Sequence, residues 1–208
     1  MWISPTLAAN GECVKAAMSQ KLVNLRYKYG TLGFDASRTH QEVSSICSDN
    51  VAGCFIHRSL GGGVWSIEDR SFDIGRQKCV APVITISYDF SGANVYISRE
   101  NNPCDMRAVL RHELQHFAIW KTTREWFLKD LKMSLLQTAA KRAKVCPQNG
   151  RCSTGSLRAL SAAVNTVEKR WNNMENKNQE LLDRVDHSAE QRVNYPVCAP
   201  YSLKVGLF

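Results

Sequence analysis

Apolar and polar positions alternate in two runs, "VAPVITISYDF" (80–90) and "NVYISRE" (94–100), separated by Ser91-Gly92-Ala93. Alternation across a short glycine-containing break predicts two strands joined as a β-hairpin. The period then changes. Met106, Val109, Leu110, Leu114 and Phe117 recur at spacings of three and four, which predicts an amphipathic helix. Asn102 suits its N-cap, Pro103 its first position, and Asp105 complements the positive helix end. The helix is expected to run through "EWFLKDLKMSLLQTAAKRAK" to about residue 144. "TTRE" (122–125) has the form of a capping box, so a kink or restart is expected near Thr122.

After the turn-forming "CPQNGRC" a second long helix is expected from Ser153 or Thr154. Leu157, Leu160, Val164, Val167, Trp171 and Met174 step by three and four, and the seam continues through Leu181 or Leu182 to Val185 and Ala189. Such a seam packs against another helix, and two long helices joined by a short turn form an antiparallel pair. The tail, with Pro196 and Pro200, reads as loop. The first 79 residues are poorly legible. Val14, Met18, Leu22 and Leu25 have helical spacing with Gly30 as a stop, residues 36–46 suggest a short helix, and "LGGGVWSI" reads as a loop leading into a strand.

Composition narrows the setting. The eight cysteines lack the paired C-x-x-C spacing of a structural zinc site. An oxidising compartment with disulfides is therefore expected, and the protein reads as secreted or periplasmic. Cys47 with Cys54, and Cys146 with Cys152, are close enough to suggest pairs. "MWISPTLAANG" is compatible with the tail of a signal peptide ending near "LAA". No apolar run is long enough for a membrane span. The net charge of +8 suits anionic partners such as cell-envelope polymers. No run of five or more Lys or Arg occurs, so a specific nucleic-acid site is not expected.

One motif carries chemistry. His112, Glu113 and His116 form H-E-x-x-H within the predicted helix. Random placement of this chain's histidines and glutamates would produce the string in fewer than about one chain in a hundred. On a helix, positions i and i+4 share a face, so both imidazoles can reach one ion while Glu113 stands beside them as general base. A catalytic zinc needs a third protein ligand. A metzincin extension is excluded, because Ile119 and Thr122 stand where it requires Gly and His. If Cys146 and Cys152 close the tip of the helical pair, His112 lies level with residue 186 and His116 with residue 182. The candidates at that height are Asp183, Asp186 and His187, with Glu190 a turn beyond. Imidazole is a common catalytic ligand, which favours His187. That choice needs the second helix to end or bend near residue 185, whereas a carboxylate ligand does not.

The stretch from about 80 to 198 resembles a family of secreted bacterial zinc-dependent proteases of the H-E-x-x-H type. His112, Glu113 and His116 match its first motif, and Asp183, His187 and Gln191 its second. Ser188 replaces the glycine expected there, and the Asp-to-His spacing is short. The resemblance implies His187 as third ligand. It also implies a zincin-like strand before the metal helix, here the 80–100 hairpin, that takes substrate backbone as an added strand. Asp105 or Asp183 would orient a ligand histidine, and Tyr195 would stabilise an oxyanion.

The expectation is an α+β, zincin-like protein, with a small antiparallel hairpin packed on the H-E-x-x-H helix and a long antiparallel helical pair. One metallopeptidase-like domain spans 1–208, with the site in 80–198. It would bind Zn2+ and cleave a peptide or protein substrate in an anionic cell-envelope setting. The alternatives are a disulfide-stabilised binding module with a basic surface and a zinc site that serves structure alone.

Overall fold

A computed structural model describes residues 5–47, 51–57, 60–147 and 152–192, with the side chains of 5–9 and 186–192 outside the description. The fold is α+β. In chain order the elements are α1 (Pro5–Ala17), β1 (Val23–Tyr29), β2 (Gly33–Arg38), α2 (His40–Cys47), β3 (Gly53–Ile56), β4 (Val64–Ile74) and β5 (Gln77–Phe90). They continue with β6 (Asn94–Ser98), α3 (Pro103–Lys141), β7 (Lys144–Cys146) and α4 (Leu157–Arg192). The chain divides into two compact units. The first comprises residues 1–27, 61–89 and 125–170, and the second residues 28–60, 90–124 and 171–208.

In the first unit β5 is the central strand, paired antiparallel with β4 on one side, with β1 and β7 also bonded to it. Ile74 faces Gln77 across a two-residue turn in which Gly75 has φ of 57°. Left-handed backbone at that position is what a tight hairpin between twisted strands demands. Cys79 to Ile84 are almost continuously buried, as expected of a strand covered on both faces. Disulfides Cys13–Cys79 and Cys146–Cys152 lie in this unit. Asp69 accepts hydrogen bonds from the Thr154 N–H (3.0 Å) and hydroxyl (2.5 Å), fixing the approach to α4.

In the second unit β6 is central, parallel to β2 and antiparallel to β3, which leaves β3 at an edge. Val95 and Ile97 of β6 pack with Ala52 and Val109 in a buried core, flanked by Phe55, Met106 and Leu110. Asn102 caps α3 as expected, its Oδ1 accepting from the N–H groups of Cys104 (3.0 Å) and Asp105 (3.1 Å). A reciprocal pair between Thr39 and Glu42 caps α2. Cys47–Cys54 joins the end of α2 to β3.

Several expectations change. The 80–90 and 94–100 runs do not form a hairpin, because β5 and β6 belong to different sheets. Gly92, with φ of 89°, turns the chain away between them. The true partner of β5 is β4, which matches it over eleven residue pairs, far more than five-residue β6 could supply. The helix expected across Val14–Leu25 ends at Ala17, and Val23–Tyr29 is a strand. Its alternating Val23, Leu25 and Tyr27 fit a strand better than a helix. β2 occupies the first part of the helix expected at 36–46. The chain runs through "TTRE" as one helix, because Thr123 and Arg124 are buried side chains of α3 and not a cap. Nor does α4 end near residue 185; it continues to Arg192. Among the described residues no helix is long and apolar enough to cross a membrane. Residues 1–4, the start of the "MWISPTLAANG" stretch, lie outside the described residues, as do Tyr195, Cys198 and the rest of the tail.

Candidate metal centre

His112, Glu113 and His116 lie on α3 within the second unit. The two rings stand one turn apart, with centroids 4.5 Å apart and planes at 84°. Asp183 reaches them from α4. Its Oδ1 lies 2.9 Å from His116 Nε2 and 3.3 Å from His112 Nε2, and the two Nε2 atoms are 2.9 Å apart. Three potential ligand atoms this close together could hold a metal ion. For metal–ligand bonds of ~2.0–2.1 Å, a tetrahedral site has ligand atoms ~3.3 Å apart. The observed edges match that figure or fall a little short of it.

Gln179, one turn before Asp183, places its Oε1 against His116 Nδ1, and its Nε2 donates to the His116 carbonyl (3.2 Å). Because the carbonyl can only accept, the amide orientation is set, and Oε1 must accept from Nδ1–H. His116 Nε2 is then a bare lone pair in the neutral ring. Burial pulls the His116 pKa below its ordinary value, against partial compensation from Gln179 and Asp183, so the neutral ring is favoured. A single proton on His112 Nε2 satisfies at most one of its two edges. The edge between His116 Nε2 and Asp183 Oδ1 still joins two acceptors, and a cation between them resolves the conflict.

Glu113 stands beside the group, within electrostatic reach of His112 and Asp183. It is 6% exposed and accepts from the backbone N–H of Phe55 on edge strand β3. Burial raises its pKa to about 7, opposed by the neighbouring His112 and the Phe55 N–H. Gly53 makes this contact reachable. A Cβ there would overlap Val109, one turn before Glu113, so only glycine lets β3 approach α3 so closely.

The structure therefore brings Asp183 to the histidine pair and adds Gln179, which sequence reasoning missed. Its position four residues before Asp183, on the same helix face, was the available signal. Asp105 does not orient a ligand histidine; it pairs with Asn102 at the start of α3. Asp186, His187, Glu190 and Gln191 belong to α4, and their side chains lie outside the described residues.

No family model matches this chain, and no match was found among curated proteins or among solved structures.

Proposed function

We propose that the protein is a zinc-dependent hydrolase, a zincin-like peptidase in which His112, His116 and Asp183 hold the metal. One observation carries this reading: two imidazole nitrogens and a carboxylate oxygen converge within 3.3 Å of one another, a group that could hold a metal ion. Bound zinc would supply Lewis acidity, lowering the pKa of coordinated water and polarising a carbonyl. The chain supplies the rest. Gln179 holds His116 with Nε2 toward the site, and Asp183 adds a negative charge that offsets the ion. Glu113, poised to gain or lose a proton near neutral pH, takes a proton from the attacking water and delivers it to the leaving amine. The Phe55 N–H holds that carboxylate in place.

Substrate backbone has a natural partner in edge strand β3, in place of the expected 80–100 hairpin. The disulfides Cys13–Cys79, Cys47–Cys54 and Cys146–Cys152 favour an oxidising, extracytoplasmic setting, and the net charge of +8 favours peptide or protein substrates within an anionic cell envelope. The test compares wild type with Glu113→Gln on a peptide library. The variant should retain zinc and lose hydrolysis. Metal without turnover in the wild type would leave a structural zinc site, and absence of metal a binding module.

A further inference from the structure

A second charged cluster lies in the same unit, on the three elements that deliver the site. Arg124 follows His116 by eight residues on α3, Glu175 precedes Asp183 by eight on α4, and His57 follows Phe55 by two at the end of β3. Eight residues are about 12 Å of helix. Arg124 is 0% exposed and Glu175 2%. Arg124 Nη1 donates to Glu175 Oε2 (2.5 Å) and to the Trp120 carbonyl (3.3 Å), while Nη2 meets His57 Nδ1 at 3.4 Å. His57 Nε2 faces Glu175 Oε1 at 3.2 Å, and the guanidinium lies 4.5 Å above the Trp120 ring. With Nδ1 accepting from Arg124, the imidazole proton belongs on Nε2, toward Glu175. The three groups then sum to zero charge.

Stability is a weak reason for such a cluster. A buried ion pair roughly breaks even against desolvation, and well-packed apolar residues often do as well or better. Burial here pulls the Arg124 pKa down, a sign of that cost. Geometry is the stronger reason. The planar fork of an arginine fixes its partners in direction as well as distance, and these partners sit on α4 and at the end of β3. A slip of one residue along α4 would move Asp183 by about 1.5 Å and turn it by about 100°. That is enough to lose both imidazoles. A comparable shift of β3 would take the Phe55 N–H from Glu113.

We propose that Arg124, Glu175 and His57 form a positioning clasp that sets the register of α4 and β3 against α3, and so the geometry of the metal centre. This inference rests on the metal reading above, and its test separates the two. Arg124→Met with Glu175→Leu removes the clasp without stranding a buried charge. Its urea midpoint should stay near the wild-type value or rise. Its zinc affinity should fall about 10–100-fold, the range typical of supporting residues around a metal, and the visible spectrum of the cobalt-substituted protein should change. Arg124→Lys keeps the charge without the fork and should not restore affinity. His57→Gln, which leaves the Arg124–Glu175 pair intact, should weaken zinc in the same direction and secures the test should the double variant fail to fold. Unchanged zinc affinity and cobalt spectrum in the folded variants, with wild type binding zinc normally, overturn the clasp alone. Absence of metal uptake by wild type overturns both.

Discussion

Asp183 Oδ1 and His116 Nε2 lie 2.9 Å apart across α3 and α4, and in the neutral ring, with Gln179 holding the Nδ1 proton, neither atom has a hydrogen to offer the other. Together with His112 Nε2 they form a group that could hold a metal ion. Glu113 lies beside this cluster, close enough to feel the charges of His112 and Asp183, and accepts a hydrogen bond from the Phe55 N–H of β3.

The choice of third ligand is directly testable. Asp183→Asn should weaken zinc by more than the ~10–100-fold expected of an outer-shell change, whereas His187→Ala should leave affinity within about threefold of wild type, inside the context scatter of single substitutions. Competition titration with a chromogenic chelator distinguishes them. The reverse order of effects would return the ligand to His187.

Gln179 should behave as an orienting residue. Gln179→Leu removes the acceptor for His116 Nδ1–H and should reduce zinc affinity about 10–100-fold, while far-ultraviolet circular dichroism stays unchanged. An affinity equal to wild type would show that the amide does not set the tautomer.

Glu113 gives a pH signature. Its pKa is raised from 4.5 to about 7 by burial in the folded, metal-free protein, so folding binds its proton more tightly than the unfolded chain does. The stability from this group is therefore full below about pH 4.5 and lost as pH rises to about 7, a change of up to about 3 kcal/mol. His116, with its lowered pKa, works in the opposite sense as pH falls. The difference between wild type and Glu113→Gln isolates the carboxylate. Urea unfolding of both chelator-treated proteins from pH 4.5 to 8 should show the variant gaining on wild type as pH rises. Parallel curves would mean that Glu113 titrates normally.

Gly53 should tolerate no side chain. Gly53→Ala places a methyl against Val109 and should cost about 1–3 kcal/mol, the usual range for overpacking. Denaturant unfolding measures it. A neutral result would show that β3 can move away from α3, and with it the Phe55 contact to Glu113.

Local signals were legible in the sequence and distant pairings were not. Asn102 and Pro103 announced the start of α3, and the H-E-x-x-H spacing announced two imidazoles on one face. The Cys146–Cys152 tip also gave a usable register: His116 was expected near residue 182 and meets Gln179 and Asp183, while Arg170 pairs with Asp130 lower on the same two helices. β6 shows the limit. Its partners come from 33–38 and 53–56, far upstream, and no short-range pattern in "NVYIS" distinguishes them from neighbouring β5. Arg124 was hidden for another reason. In "TTRE" a charged residue beside threonines reads as a helix boundary, and only tertiary packing with Glu175 makes it a buried helix interior. Gln179 is an ordinary polar residue until Asp183 is known to face His116.

Anomalous scattering at the zinc edge from crystals of the zinc-loaded protein tests the central claim most directly. The account predicts a single peak bonded to His112 Nε2, His116 Nε2 and Asp183 Oδ1 at ~2.0–2.2 Å, with Glu113 outside the coordination shell. A peak held by other side chains, or no peak at the H-E-x-x-H helix, would contradict it.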